Sequence, residues 1–451
     1  MAFDELRRNA VHVGAAIARG PVVPTVTPGE IREHLESRYD FAKPMALDEA
    51  IGDVECMLRK WQVHVTHPRY FGLFNPSVTP ASVVGDTLTA MYNPQLATWR
   101  TSPAANEIER HMLRWLAGKF GLPSGTAANF TTGGAESNYS AVISALARAF
   151  PCFCDGGLRH LDKSPVLYLS EGAHHGFLKI ARMSGLGSRA LRSVALDSDG
   201  KMNLEDLARR VAEDRIAGLA PFLVVGTAGT TAAGVIDPLT ELSSFCRSED
   251  LWFHVDAAWG GAAAISPRLR GYLAGISEAD SISCDAHKWF SVPMGAGMFF
   301  CRHPEPIAHA FESEISFMPR KTGAAVDPYS STTQWSRRFI GLKLFLALAE
   351  RGESGYIEMI EHQAAMGDYL RESLRKSGWR IVNRTPLPLV CFTRENLVAS
   401  DFLAELYKRQ IAWMSEVRLD GGDPVLRACV TSYRTTEQEI EWVVREMSKI
   451  E

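Results

Sequence analysis

Apolar residues in this chain recur first at helical and then at strand spacing. Over residues 27–61, Met45, Leu47, Ile51, Val54, Met57 and Leu58 follow a three-to-four step, which predicts an amphipathic helical arm starting near Pro28. A second stripe of Ile108, Met112, Leu113, Leu116 and Phe120 predicts a helix over 103–120. After Lys163 the period shortens: the runs 166–169, 222–225, 251–255, 281–284 and 296–301 read as strands, with a helix over 238–248 between the second and third. A strand followed by a helix and another strand implies a parallel pair with a right-handed crossover, and repeated units imply a sheet covered on both faces. Residues 312–333, with Pro319, Gly323 and Pro328, show no period and read as a long loop of the kind used as a lid. Helices over 336–349 and 355–377, strands 389–393 and 427–431, a helix over 400–408 and a last helix after Thr435 complete a smaller α+β lobe. The expected class is α/β, a mainly parallel large domain over 63–310 between a helical arm over 1–62 and a loop plus C-terminal domain over 311–451.

Composition narrows the function classes. With 451 residues, 46% hydrophobic and 22% charged, the chain has the make-up of a globular protein of two or three lobes. A net charge of -4 supplies no general attraction to nucleic acid or an anionic membrane, and no apolar run reaches the roughly 18 residues of a spanning helix. The first residues carry Asp4 and Glu5 among arginines, which fits neither a secretory signal nor a transit peptide. The eight cysteines are dispersed, and Cys152-x-Cys154 has no second half to make a metal site, so reduced thiols in a cytoplasmic protein are expected.

The candidate chemistry falls at predicted strand ends. Lys288 follows the strand over 281–284, flanked by Trp289 and Phe290, a setting expected to desolvate its amine, lower its pKa and free it for attack on a carbonyl; a lysine snorkelling from an apolar edge fits the local sequence as well. Gly133-Gly134 opens the helical run 139–150, either as an anion site of backbone amides or as a capped start with Glu136 three residues on. His174 lies on a strand-to-helix loop, where α/β folds place ligands. Asp256 ends a buried strand with Ala258 on the same side, and a buried carboxylate needs a cationic partner, of a cofactor or of a structural ion pair. The segment 67–76 is aromatic and bounded by Pro68 and Pro76, a plug under a loop or the wall of a pocket. One cofactor meets these separate needs. Pyridoxal 5'-phosphate combines an aldehyde for lysine, a phosphate for a helix start and a ring nitrogen that a carboxylate keeps protonated.

Four stretches carry a family resemblance: 132–138 (TGGAESN), Ala173-His174, 254–261 (HVDAAWGG) and 285–289 (DAHKW). Together they resemble the motifs of the group II pyridoxal-phosphate-dependent amino-acid decarboxylases, over about 67–436 of the chain. The resemblance implies the aspartate-aminotransferase type I fold and a homodimer with the active site at the subunit interface. It implies Lys288 as the Schiff-base lysine, Asp256 as the pyridinium partner, and Ala258 and His174 on the two ring faces, with His174 also assisting proton delivery to the substrate. Gly134, Ala135, Thr231 and His287 would lie round the phosphate, and Phe71, Leu73 and Phe74 would form a substrate wall. Leu73 stands where the aromatic-amino-acid enzymes carry tyrosine, while 67–71 looks more like the cysteine-sulfinate and glutamate branch, so aromatic and acidic substrates both stay open. The loop over 317–333 is shorter than in animal members, and its one tyrosine, Tyr329, is the candidate donor of a proton to the substrate Cα. Members that lose this tyrosine often become aldehyde synthases, so Tyr329 bears on the product.

Overall fold

The computed structural model describes residues 2–75, 77–313, 326–419 and 421–450. Helices Ala2–Ile17, Pro28–Arg38 and Leu47–Lys60 form the N-terminal arm. Pro28 does open a helix, capped by a reciprocal pair in which Thr27 Oγ1 accepts from the Glu30 amide and the Glu30 carboxylate accepts from the Thr27 amide. The predicted apolar stripe is real but uncovered. Leu47, Ile51, Val54 and Leu58 are 73, 55, 41 and 55% exposed, so this face has no covering partner among the described residues.

The large domain is built on seven strands, β1 (Ala127–Thr131), β2 (Pro165–Ser170), β3 (Leu191–Val194), β4 (Ala220–Thr227), β5 (Trp252–Asp256), β6 (Ser281–Asp285) and β7 (Gly297–Cys301). Their spatial order is β1-β7-β6-β5-β4-β2-β3. β3, β2, β4, β5 and β6 are mutually parallel, and β7 runs against both β6 and β1. The exception has a local cause: 286–296 is a loop with no crossover helix, so the chain can return only antiparallel. Every residue of β2, β5, β6 and β7 is buried, and β2, β5 and β7 are accordingly mostly apolar, while β6 alternates serine with Ile282 and Cys284.

This topology brings the carboxyl ends of β1, β2, β4, β5 and β6 to one edge, where α/β sheets bind ligands. The register sets residues level there: Thr227 pairs with Asp256 and Asp256 with Ser283, while Asp285 and Thr131 both pair with Gly297.

A second, antiparallel sheet of β8 (Arg380–Ile381), β9 (Leu389–Thr393), β10 (Ser415–Val417) and β11 (Val425–Cys429) has the order β10-β11-β9-β8. The helices expected over 336–349 and 355–377 are both present, as two helices within Leu342–Lys376 that meet at a kink at Gly352, whose φ of 67° is not helical. The first starts later than expected because the preceding backbone is extended, with the Arg337 guanidinium turned inward. There it donates to Glu109 Oε2 at 2.7 Å and to the Phe130 carbonyl at 3.0 Å, tying this segment to β1 beside the glycine pair. No helix among the described residues is long and apolar enough to cross a membrane.

Candidate active site

Lys288 sits on the turn that leaves β6. Its amide donates to the Asp285 carbonyl at 3.2 Å, and the amides of Ala286 and His287 both donate to the Ala296 carbonyl, at 2.7 and 3.2 Å. Trp289 and Phe290 are 0 and 1% exposed and anchor the turn, while the Lys288 side chain keeps 21% exposure. Its Nζ lies 2.9 Å from Asp285 Oδ2. The expected lowering of the lysine pKa is therefore reversed. Burial does push it down, but the charge and hydrogen bond of Asp285, with Asp256 and Cys284 adding to them, carry it above the ordinary value.

Asp256, the last residue of β5, is held by donors on both oxygens. Oδ2 accepts from Asn138 Nδ2 at 2.9 Å, and Oδ1 accepts from the Ala258 amide at 3.1 Å and Ser283 Oγ at 3.2 Å. Behind Asn138 the network continues. Its Oδ1 is 3.0 Å from His254 Nε2, His254 Nδ1 is 2.8 Å from Ser281 Oγ, and Ser281 Oγ accepts from Trp252 Nε1 at 2.8 Å. Burial lowers the His254 pKa to about 4, against the pull of Asp256, so the ring is neutral at ordinary pH and carries one N–H. His254 Nδ1 also lies 3.1 Å from the Ser281 carbonyl, and the tautomer with its proton on Nε2 lets His254 donate to Asn138 Oδ1 while Asn138 Nδ2 donates to Asp256.

The glycine pair closes on both strands. A Cβ at Gly134 would stand 3.0 Å from Asp285 Oδ2 and 3.3 Å from Ala258 Cβ, and one at Gly133 would stand 3.4 Å from His287 Cε1. Helix Gly134–Ala149 begins with no side-chain cap. Glu136 looks elsewhere, accepting from the Thr132 amide at 2.7 Å, Thr333 Oγ1 at 2.7 Å and Gln334 Nε2 at 2.9 Å. The first amides of this helix, which have no intrahelical acceptor, thus point at the strand-end edge with the positive end of the helix dipole.

His174 follows β2 with an exposed ring whose Nδ1 accepts from the Gly176 amide at 3.0 Å. Crowding on its inner side and the Lys288 cation lower its pKa, and Asp256 pulls the other way. His287 Nδ1 accepts from the Ala296 amide at 3.1 Å, and burial lowers its pKa. Phe74 stacks on Trp259 at 4.6 Å and lies 6.0 Å from Lys288 Nζ. Leu73 is 52% exposed. Phe71 lies elsewhere: it is fully buried in the C-terminal core with Leu370 and Phe392, its backbone bonded to Trp413 and Cys429, so it packs that lobe. Tyr329 is buried, with its amide on the Ala97 carbonyl at 3.1 Å and its ring 5.2 Å from Trp335. Of the loop expected over 317–333, residues 317–325 lie outside the described residues.

Two contributors gave no functional signal in the sequence reading. Asp285 stood inside a quoted motif without a role. Arg427, a charge in the otherwise apolar strand β11, is 3% exposed; its Nε donates to the Thr231 carbonyl at 3.0 Å and its Nη1 to the Gly72 carbonyl at 3.3 Å. Its guanidinium carbon lies 4.8 Å from the centroid of the Phe74 ring. Ser170 Oγ, Thr227 Oγ1, Asp285 Oδ1 and Arg427 Nη2 are among the buried polar atoms that have no partner among the described residues. The first three end strands on the ligand edge, and buried polar groups without partners there are what a polar ligand would satisfy.

The conserved domain of pyridoxal-dependent decarboxylases matches residues 28–395. The chain belongs to the pyridoxal-dependent decarboxylase family. It is 29% identical over 440 residues to 4-hydroxyphenylacetaldehyde synthase of Rhodiola rosea, covering 93% of this chain and 88% of the relative. It is 32% identical over 338 residues to human cysteine sulfinic acid decarboxylase, covering 74% and 68%. The crystal structure of mouse CSAD in apo form superposes with a TM-score of 0.91 at 25% identity, covering 99% of this chain and 98% of that one. The chain is thus a carboxy-lyase of this family with pyridoxal 5'-phosphate as cofactor. The residues fit that group: an amine for its aldehyde, a donor-locked carboxylate for its ring nitrogen, and a glycine-led helix start for its phosphate.

Proposed function

We propose that this decarboxylase removes the carboxyl group of an L-amino acid as carbon dioxide and releases the amine. The observation that carries the reading is the meeting of Lys288, the donor-locked Asp256 and the Gly133-Gly134 helix start on one sheet edge. Lys288 would hold the cofactor aldehyde, Asp256 its ring nitrogen, Gly134, Ala135 and Thr231 its phosphate with His287 close by, and Ala258 and His174 its two ring faces. When bound, the protonated ring accepts the electron pair left on the substrate Cα as the carboxyl group departs. Asp256, held in place by Asn138, Ser283 and the Ala258 amide, would face that ring nitrogen as the carboxylate that favours its protonated form. The stacked Phe74 and Trp259 exclude water beside Lys288. The exposed stripe on Leu47–Lys60 supports a homodimer, in which a second chain would also complete the open side of the site near Leu73.

Arg427 is proposed to take a substrate carboxylate, since its Nη2 is a buried donor without a partner near the ring of Phe74, which borders Lys288. Arg427→Met is expected to raise KM by roughly 10- to 100-fold, the worth of a hydrogen bond to a charged group, with cofactor retention unchanged. Steady-state kinetics across aromatic, acidic and basic L-amino acids measures this and identifies the substrate. No turnover of any amino acid by cofactor-loaded protein would end the proposed function.

The aldehyde-synthase outcome is kept open by the Rhodiola rosea relative. Tyr329 is proposed as the Cα proton donor: the segment after it is bonded through Thr333 and Gln334 to Glu136 at the glycine helix start. Tyr329→Phe is expected to cut amine formation by roughly 10²–10⁴-fold, the usual worth of a positioned acid. Carbon dioxide release with aldehyde, ammonia and peroxide in place of amine, at the expense of dissolved oxygen, is the expected product change. An unaltered amine yield removes Tyr329 from this role.

A further inference from the structure

Asp285 closes β6 at 2% exposure, and its two oxygens differ. Oδ2 is 2.9 Å from Lys288 Nζ and 3.7 Å from His287 Nε2, whereas Oδ1 is buried with no hydrogen-bond partner among the described residues. A Cβ on Gly134 would meet Oδ2 at 3.0 Å and Oδ1 at 3.5 Å, so the carboxyl group lies against the helix start where an anion is expected. Its one close counter-ion among the described residues is Lys288. That same group must become a neutral amine to react.

We infer that Asp285 is the proton partner of Lys288, holding the resting amine as an ammonium, taking one proton as the amine attacks the cofactor aldehyde, and returning it when the amine is released. The inference rests on the reading of Lys288 as the residue that combines with the cofactor. One proton passes from the ammonium to Oδ2, and the Nζ lone pair bonds the aldehyde carbon. The two remaining Nζ hydrogens leave with the aldehyde oxygen as water. When the substrate amine takes the place of Lys288, the freed neutral amine recovers its proton from Asp285. A buried carboxylate 2.9 Å from the amine is placed to exchange that proton with it directly.

The other groups facing Lys288 do not match this role. Asp256, on the next strand, has its oxygens occupied by Asn138, Ser283 and the Ala258 amide. Burial keeps the Cys284 thiol protonated, and His287, on the same turn, uses Nδ1 on the Ala296 amide. His174, from the loop after β2, is held at Nδ1 by the Gly176 amide. The Phe74 ring carries no titratable group, and Arg427 beyond it is a permanent cation.

The test uses cofactor-free full-length protein, formaldehyde with cyanoborohydride as a phosphate-free probe, and mass spectrometry of the Lys288 peptide across pH. In the wild type the labelling midpoint is expected above the ordinary lysine value of 10.5. In Asp285→Asn it is expected at least one pH unit lower than in the wild type, which is about a tenfold gain in free amine at any pH well below both midpoints. Asp285→Glu, which restores a carboxylate, is expected to move the midpoint back towards the wild type. Coincident midpoints for wild type and Asp285→Asn overturn the inference. Should the Asn variant not fold, the wild-type midpoint decides: above 10.5 supports the pair, and at or below 10.5 overturns it. Borohydride fixation of pyridoxal 5'-phosphate to wild type, located by peptide mapping, tests the reading of Lys288 separately, because formaldehyde labelling does not involve the cofactor.

Discussion

Lys288→Ala is expected to abolish covalent retention of the cofactor, together with its lysine-bound visible band, and to lower turnover on the order of 10³-fold or more. Removing this amine deletes the nucleophile itself, so no neighbour restores the step: His174 and His287 are each tied through Nδ1 to a backbone amide. The same change has a second readout in the cofactor-free protein. It leaves the buried Asp285 carboxylate without its close counter-ion, and breaking a buried pair in this way costs roughly 3–5 kcal/mol. The pH dependence follows from the sign of the lysine shift. Its folded pKa is raised, so its contribution to stability is fully present below the ordinary value of 10.5 and is lost as pH rises through the folded value. Denaturant unfolding is therefore expected to show wild type and variant converging at strongly alkaline pH and separated near neutrality. Covalently bound cofactor in Lys288→Ala, located on another lysine, would refute the assignment.

How much of this was legible in the sequence depended on whether a local pattern or a distant contact carried the information. Strands β2, β4, β5 and β7 could be read because they are buried on both faces and mostly apolar, whereas β6 is equally buried but shows only the short alternation of Ser281, Ile282, Ser283 and Cys284. β1 escaped because Ala127, Ala128 and Asn129 present neither bulk nor alternation; its place is secured by Arg337, which lies 207 residues further on and donates to the Phe130 carbonyl. The glycine helix start was visible as a motif but ambiguous as chemistry until Glu136 was seen to serve Thr132, Thr333 and Gln334.

The lysine environment was misjudged for a related reason. Trp289 and Phe290 announce burial in the sequence, yet the sign of the shift is set by Asp285, whose carboxylate meets Nζ only because the turn brings residues 285 and 288 together. Phe71 shows the converse. An aromatic residue in a proline-bounded segment suggested a pocket wall, whereas the backbone pairing of that segment with Trp413 and Cys429 carries Phe71 into the C-terminal core and leaves Phe74 at the site.

Asp256→Asn is the second change expected to have a large effect, and it separates holding the cofactor from activating it. The substitution is nearly isosteric, and its amide oxygen can still accept from Asn138 Nδ2, the 2.9 Å contact that orients the side chain. What it removes is the charge, together with the acceptor that the Ala258 amide and Ser283 Oγ now use. A neutral amide cannot keep the ring nitrogen protonated, so the electron pair left on the substrate Cα is less stabilised, and turnover is expected to fall by about 10²–10³-fold, the scale of losing one preorganised electrostatic group. Cofactor retention, set by Lys288 and the helix start, is expected to change far less than turnover. Single-turnover rates alongside cofactor-binding titrations make the comparison. The discriminating outcome is the split between the two: a variant that loses cofactor and rate in equal measure would make Asp256 an anchor, and one that keeps wild-type turnover would leave its donor-locked charge without a part in the reaction.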